Sequence, residues 1–155
     1  MEHVLQNPIP NILLADDDED ERYFFEAALK DLPIVTNLVS VTDGVRLMEY
    51  LAKNTDNLPD VLFLDIIMPR KTGMECLKEI MSNEKLKGIP VIMYSNSVGQ
   101  DYVIDCYKYG ANYFLQKGNY AELTESIGKL LGISLGKVPD LVPKEKFKFS
   151  LREAC

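Results

Sequence analysis

The chain has 155 residues, 46% of them apolar and 26% charged, with a formal net charge of −7. That length fits one domain with its own hydrophobic core, and the composition excludes collagen-like, wholly disordered and membrane-spanning classes. The acidic balance argues against a nucleic-acid partner, because such domains carry a basic face.

Five short apolar runs alternate with five helical patterns. Asn-Ile-Leu-Leu-Ala at 11–15 is a continuous apolar run, as in a strand covered on both faces. Six acids follow at 16–21, and then Phe25, Ala28, Leu29 and Leu32 fall on one helix face. Pro33 ends that helix. Residues 34–41 are β-rich, and Thr42-Asp43-Gly44 opens a second helix with Leu47, Tyr50 and Leu51 inward. Val-Leu-Phe-Leu-Asp at 61–65 is a third strand, and a loop punctuated by Pro69 and Gly73 comes next. Met74, Leu77, Ile80 and Met81 mark the third helix. A fourth strand is predicted at 91–94. The fourth helix carries Val103, Cys106 and Tyr107 and stops at Gly110. The fifth strand is predicted at 111–115, and the fifth helix, with Leu123, Ile127, Leu130 and Leu131, ends at Gly132.

Such alternation implies an α/β fold with a parallel sheet and helices on both faces. It divides the chain into a lead-in at 1–10, a domain at 11–132 and a tail at 133–155. Right-handed crossovers gather the C-terminal strand ends on one edge, where these sheets bind ligands. The polar residues there are Asp16 and Asp17, Asp65, Ser95 and Lys117. Clustered carboxylates hold a hard cation, typically Mg²⁺. A carboxylate is also a nucleophile toward phosphorus, and lysine and serine supply donors to phosphoryl oxygens.

These residues resemble a family. Ile-Leu-Leu-Ala-Asp16-Asp17-Asp18 is similar to the first strand and acidic pair of the receiver domains of two-component response regulators. Val-Leu-Phe-Leu-Asp65-Ile-Ile-Met68-Pro69…Gly73 resembles the phosphoacceptor strand and its loop. Pro-Val-Ile-Met-Tyr-Ser95 resembles the strand ending in the switch Ser/Thr, and Gly110-Ala-Asn-Tyr-Phe114-Leu-Gln-Lys117 resembles the last strand with its switch aromatic and lysine. The match runs in order from Asn11 to Leu131. The resemblance implies a five-stranded sheet of order 2-1-3-4-5, flavodoxin/CheY-like. It implies that Asp65 accepts a phosphoryl group from a histidine kinase or phosphotransfer protein. Mg²⁺, with Mn²⁺ able to substitute, would be ligated by Asp17, Asp65 and the Ile67 carbonyl, with Asp16 acting through water. Ser95 and Lys117 would grip the phosphoryl group, and Phe114 would turn inward as the switch aromatic. Output would then be phosphorylation-dependent binding of a downstream protein on the face of helix four, strand five and helix five. Catalysis beyond Mg²⁺-dependent self-phosphorylation and autodephosphorylation is not expected.

Other readings weigh less. Asp18 to Glu21 fit an acidic first turn that complements a helix dipole. Asp16-x-Asp18 resembles haloacid-dehalogenase phosphatases, which expect Thr or Val where Asp20 stands. A pseudo-receiver is disfavoured because Asp17, Asp65, Ser95 and Lys117 are all present. Two departures from the family pattern stand out. Ile67 places an apolar side chain beside the expected phosphoryl site, which predicts slow autodephosphorylation. Gly118 replaces the usual proline after the lysine, which predicts a trans Lys117–Gly118 bond and leaves φ > 0 open to the glycine.

The remaining features concern compartment and tail. Three cysteines, Cys76, Cys106 and Cys155, without a C-x-x-C pair, and one histidine, His3, point to reduced thiols. With no basic, apolar leader at the N-terminus, the expected location is the cytoplasm and no membrane partner. The tail carries five basic residues, Lys137, Lys144, Lys146, Lys148 and Arg152, against Asp140, Glu145 and Glu153, so the rest of the chain is −9. Phe147, Phe149 and Leu151 alternate with polar residues, a period-2 strand pattern. The tail, too short for a DNA-binding output domain, is expected to dock, burying Phe147 and Phe149 on its own domain or, in a homodimer, on a second subunit.

Overall fold

A computed structural model describes residues 9–96, 99–134 and 147–148. The elements run β1 (Asn11–Ala15), α1 (Glu19–Asp31), β2 (Asn37–Val41), α2 (Gly44–Lys53), β3 (Val61–Asp65), α3 (Gly73–Met81), β4 (Val91–Ser95), α4 (Gln100–Lys108), β5 (Tyr113–Gln116) and α5 (Tyr120–Ser134). The five strands form one sheet, all neighbours parallel, in the order β2-β1-β3-β4-β5. The expected α/β class and strand order are both found.

Every residue of β3 and β4 is buried, as continuous apolar runs require in a sheet with two covered faces. Alternation splits the core in two. Leu13, Leu62, Leu64 and Met93 face the side packed by α2, α3 and α4, with Leu47, Leu77, Ile80 and Cys106. Ile12, Leu14, Phe63 and Tyr94 face the side packed by α1 and α5, with Phe25, Leu29, Ile127 and Leu130. Burial pushes the thiols of Cys76 and Cys106 each up to about 12, so they behave as small apolar side chains. Among the described residues, no helix is long and apolar enough to cross a membrane.

Several expected boundaries shift. β2 starts at Asn37, not at residue 34, because residues 34–36 follow Pro33 as bend and coil. β4 includes Ser95, and β5 runs from Tyr113 to Gln116, because the pairs Ile92–Tyr113 and Ser95–Gln116 set its ends. α5 passes through Gly132 to Ser134; glycine there weakens a helix without ending it. α4 stops as expected: Gly110 takes φ 99°, and the Ala111 N–H donates to the Cys106 carbonyl at 3.1 Å, a left-handed C-terminal stop.

Of the tail, Phe147 and Lys148 are described. Phe147 is 2% exposed and meets the Tyr107 ring edge-on, with centroids 5.2 Å apart. Lys148 forms a parallel bridge with Phe114 of β5. The tail therefore docks on this domain at these two residues. The expected strand does not extend to Phe147, whose backbone is helical. Phe149, Leu151 and Cys155, like His3, lie outside the described residues. Removing the Phe147 ring should cost about 1–3 kcal/mol, since a tail segment can relax more than a central core position. Denaturant titration of Phe147→Ala measures this, and an unchanged midpoint would contradict it.

Candidate functional site

The register brings the strand ends into line. Ala15 pairs with Leu64, so Asp16 emerges beside Asp65. Asp65 pairs with Tyr94, and Ser95 pairs with Gln116, one residue before Lys117. Four segments thus deliver Asp16, Asp17, Asp65, Ser95 and Lys117 to one edge. Asp16, Asp65 and Ser95 are buried and Asp17 is exposed. At the back of Asp65, Gly73 is required: a Cβ there would lie 1.9 Å from the Asp65 carbonyl oxygen.

The acids at 16–21 separate by role. Asp18 is the N-cap of α1, its Oδ1 accepting from the Asp20 and Glu21 N–H groups at 2.9 and 3.1 Å. That accounts for the helix-start reading and leaves Asp16 and Asp17 for the site. The Asp16 carboxylate accepts from Lys117 Nζ at 2.8 Å and from the Asp18 N–H at 3.0 Å. Lys117 Nζ also lies 3.6 Å from Glu21 Oε2 and 3.7 Å from Asp65 Oδ2. It sits 4.4 Å from the centroid of the Tyr94 ring, with its side chain only 5% exposed.

One ammonium therefore faces Asp16, Asp65 and Glu21, with Asp17 alongside. Oxygens of Asp16, Asp17 and Asp65 lie within 4.8 Å of one another. An all-oxygen donor set with excess negative charge fits a hard divalent cation. Asp16 already has a partner on each oxygen, so Asp17 and Asp65 are the freer donors. The depression in front of them, about 430 Å³, is lined by Asp17, Asp18, Glu19, Asp20, Glu21, Asp65, Asn96 and Lys117.

Ile67 is not among those lining residues, and its side chain is 64% exposed. Phe114 is fully buried, in one core cluster with Phe147 and Val103, and is not part of the depression. No cis bond occurs among the described residues, so Lys117–Gly118 is trans, as expected. Gly118 does not use positive φ.

Two residues, Glu21 and Tyr94, escaped the sequence reading, and Asn96, which with Ile67 stands at a position the family varies, joins them. Glu21 reads as an ordinary first-turn acid, yet it precedes Phe25 and Leu29 at i, i+4, i+8, the buried stripe of α1. A charge at the head of an apolar stripe was the available signal. Tyr94 lies under Lys117 with its hydroxyl buried and, among the described residues, without a hydrogen-bond partner; burial pushes that hydroxyl's pKa far up. Asn96 Nδ2 donates to Glu21 Oε1 at 3.1 Å.

The sequence model of the response regulator receiver domain matches residues 12–128. The chain belongs to that family. Phosphorylation of an aspartate is the family's general mechanism. Response regulator Rcp1 of Synechocystis sp. is 33% identical over 115 residues, covering 72% of this chain and 78% of the relative. The crystal structure of the phosphorylated cyanobacterial phytochrome response regulator RcpA aligns with TM-score 0.76 and 29% identity, over 84% of this chain and 97% of that one. The Mn²⁺-bound form of Rcp1 aligns with TM-score 0.74 and 29% identity, over 86% and 99%.

Burial pushes the Asp65 carboxyl up to about 6; Lys117 opposes this, Asp16 and Asp17 add to it, and the Ile67 N–H opposes it. At Asp65 the native state then binds more proton than the unfolded chain between about pH 4 and pH 6, so this group's contribution to stability falls as pH rises through that window. In chelator, Asp65→Asn should therefore be more stable than wild type at pH 8, by about 1–2 kcal/mol after allowing for solvent screening. The gain should shrink toward pH 4. Denaturant midpoints of both proteins across this range check it, and a gain independent of pH would contradict the assignment.

Proposed function

We propose that Asp65 is the phosphoacceptor of this receiver and that phosphorylation controls the binding of a downstream protein. The observation that carries this reading is the position of Asp65: buried, 3.7 Å from the Lys117 ammonium and grouped with Asp16 and Asp17. An Asp65 carboxylate oxygen attacks the phosphorus of a phosphohistidine on a sensor kinase or phosphotransfer protein. A P–O bond forms, the P–N bond breaks, and the leaving imidazole nitrogen takes up a proton. Lys117 and the Ser95 hydroxyl donate to the phosphoryl oxygens as charge moves onto them. A divalent cation, Mg²⁺ in our reading, would be held by Asp17, Asp65 and the Ile67 carbonyl, with Asp16 acting through water, and would supply charge neutralisation to the phosphoryl oxygens. Hydrolysis returns the free carboxylate and inorganic phosphate.

We place this protein in the cytoplasm and its output on the surface of α4, β5 and α5. Phe114 is buried beneath that surface, and its backbone pairs with Lys148, so a change at Phe114 reaches the tail directly. Phe147 meets α4 through Tyr107 on the same side. We assign Phe114 the role of switch aromatic on this ground. A homodimer that exchanges the tail would use the same contacts between two subunits. Light scattering on the full chain and on a chain ending at residue 143 separates a monomer with a docked tail from that exchange.

Incubation with phosphoramidate and Mg²⁺, read by intact mass, should add one phosphoryl group to the wild type and none to Asp65→Asn. Label on another residue, or an unlabelled wild type with a sound fold, would overturn the assignment. For the cation, Asp17→Asn should weaken Mn²⁺ binding more than Asp16→Asn, on the order of tenfold more, because Asp16 already satisfies Lys117 and the Asp18 N–H. Equal losses by calorimetry would contradict that division.

A further inference from the structure

The Lys117 ammonium has three N–H donors. One is committed to Asp16 at 2.8 Å. The Tyr94 ring lies 4.4 Å from the nitrogen. Glu21 Oε2 at 3.6 Å and Asp65 Oδ2 at 3.7 Å flank it nearly equally, neither at normal hydrogen-bond length. The ammonium is thus balanced between two carboxylates on different elements, α1 and β3. The other Glu21 oxygen, Oε1, accepts from Asn96 Nδ2 at 3.1 Å, and Asn96 is the first residue beyond β4. Glu21 is not needed as a helix cap, which Asp18 supplies, and its side chain is three-quarters buried. It is turned into the depression in front of Asp65, whose wall it shares with Asn96 and Lys117.

We propose that Glu21 is a positioning residue of this receiver: one carboxylate oxygen holds Lys117 back from Asp65 while the other holds Asn96. This rests on the reading of Asp65 as phosphoacceptor. A phosphoryl group on Asp65 adds negative charge and three acceptor oxygens next to Lys117. The even division of the ammonium then ends in favour of Asp65, because charge-assisted bonds to phosphoryl oxygens are shorter and stronger than a contact at 3.6 Å. Glu21 loses its ammonium, and its hold on Asn96 is released or redrawn. Glu21 thus sets how strongly the resting site resists the phosphorylated state, and it joins the reacting carboxylate to the start of the β4–α4 connection.

The test uses the full chain at saturating Mg²⁺ with beryllofluoride, which adds to a carboxylate as a phosphoryl mimic. Saturating Mg²⁺ removes differences in cation affinity from the comparison. Glu21→Gln should bind beryllofluoride about three- to tenfold more tightly than wild type, the range a partly buried ion pair supplies. Glu21→Asp retains the charge but is one methylene shorter, and it should also bind more tightly. Asp20→Asn removes a charge from the same depression without touching Lys117, and it should stay within about twofold of wild type. The Asn96 side-chain amide NMR signals should move when beryllofluoride is added to wild type and should already be displaced in ligand-free Glu21→Gln or Glu21→Asp. A wild-type affinity in Glu21→Gln or Glu21→Asp, or an Asp20→Asn effect as large as that of Glu21→Gln, would overturn the proposal. Failure of the wild type to bind beryllofluoride would instead overturn the assignment of Asp65, and this proposal with it.

Discussion

An ammonium group buried to 5% exposure must be neutralised, and in this protein its neutralisers come from three separate elements. Lys117 is anchored on Asp16 and flanked by Glu21 and Asp65, with an aromatic ring beneath. Isolated burial of either sign of charge would be strongly unfavourable. The acids require the lysine as much as the lysine requires them, so β1, α1, β3 and the turn after β5 are tied together at one point. One positive group among four carboxylates still leaves excess negative charge. Burial, with Asp16 and Asp17 adding to it against Lys117, raises the affinity of Asp65 for a proton, and the excess negative charge prepares the place for a cation.

The sheet makes this cluster reachable from short-range sequence. Parallel pairing lines up the C-terminal ends of β1, β3, β4 and β5, so the last residues of β3 and β4 and the first residues after β1 and β5 reach one edge without long loops. Gly73 lets the chain pass within contact distance of the Asp65 carbonyl, which keeps the β3 end from drifting. The geometry of the acidic edge is therefore set by backbone hydrogen bonds and close packing, and the side chains need only short reaches.

Much of this was legible before any coordinates. Apolar runs of four or five residues have a single reading when polar residues bound them, so β1 and β3 were placed to the residue. Asp16, Asp17, Asp65, Ser95 and Lys117 were found because each directly follows or ends such a run. Boundaries failed where pairing partners decide the ends, as at β4 and β5, and where a helix continues through a weak former, as at Gly132. Glu21 was missed because five neighbouring acids mask one that points inward. Phe147 was placed correctly as a buried tail residue, although the alternating pattern suggested more strand than one bridge at Lys148.

That bridge has a consequence for the chain's behaviour at high concentration. β5 is an outer strand, and an outer strand offers unpaired N–H and C=O groups to any passing extended segment. Lys148 occupies part of that border with its own backbone and places a charged side chain there, while Phe147 covers neighbouring apolar surface on α4. Phe147 and Lys148 thus leave less of the β5 border open to edge-to-edge pairing.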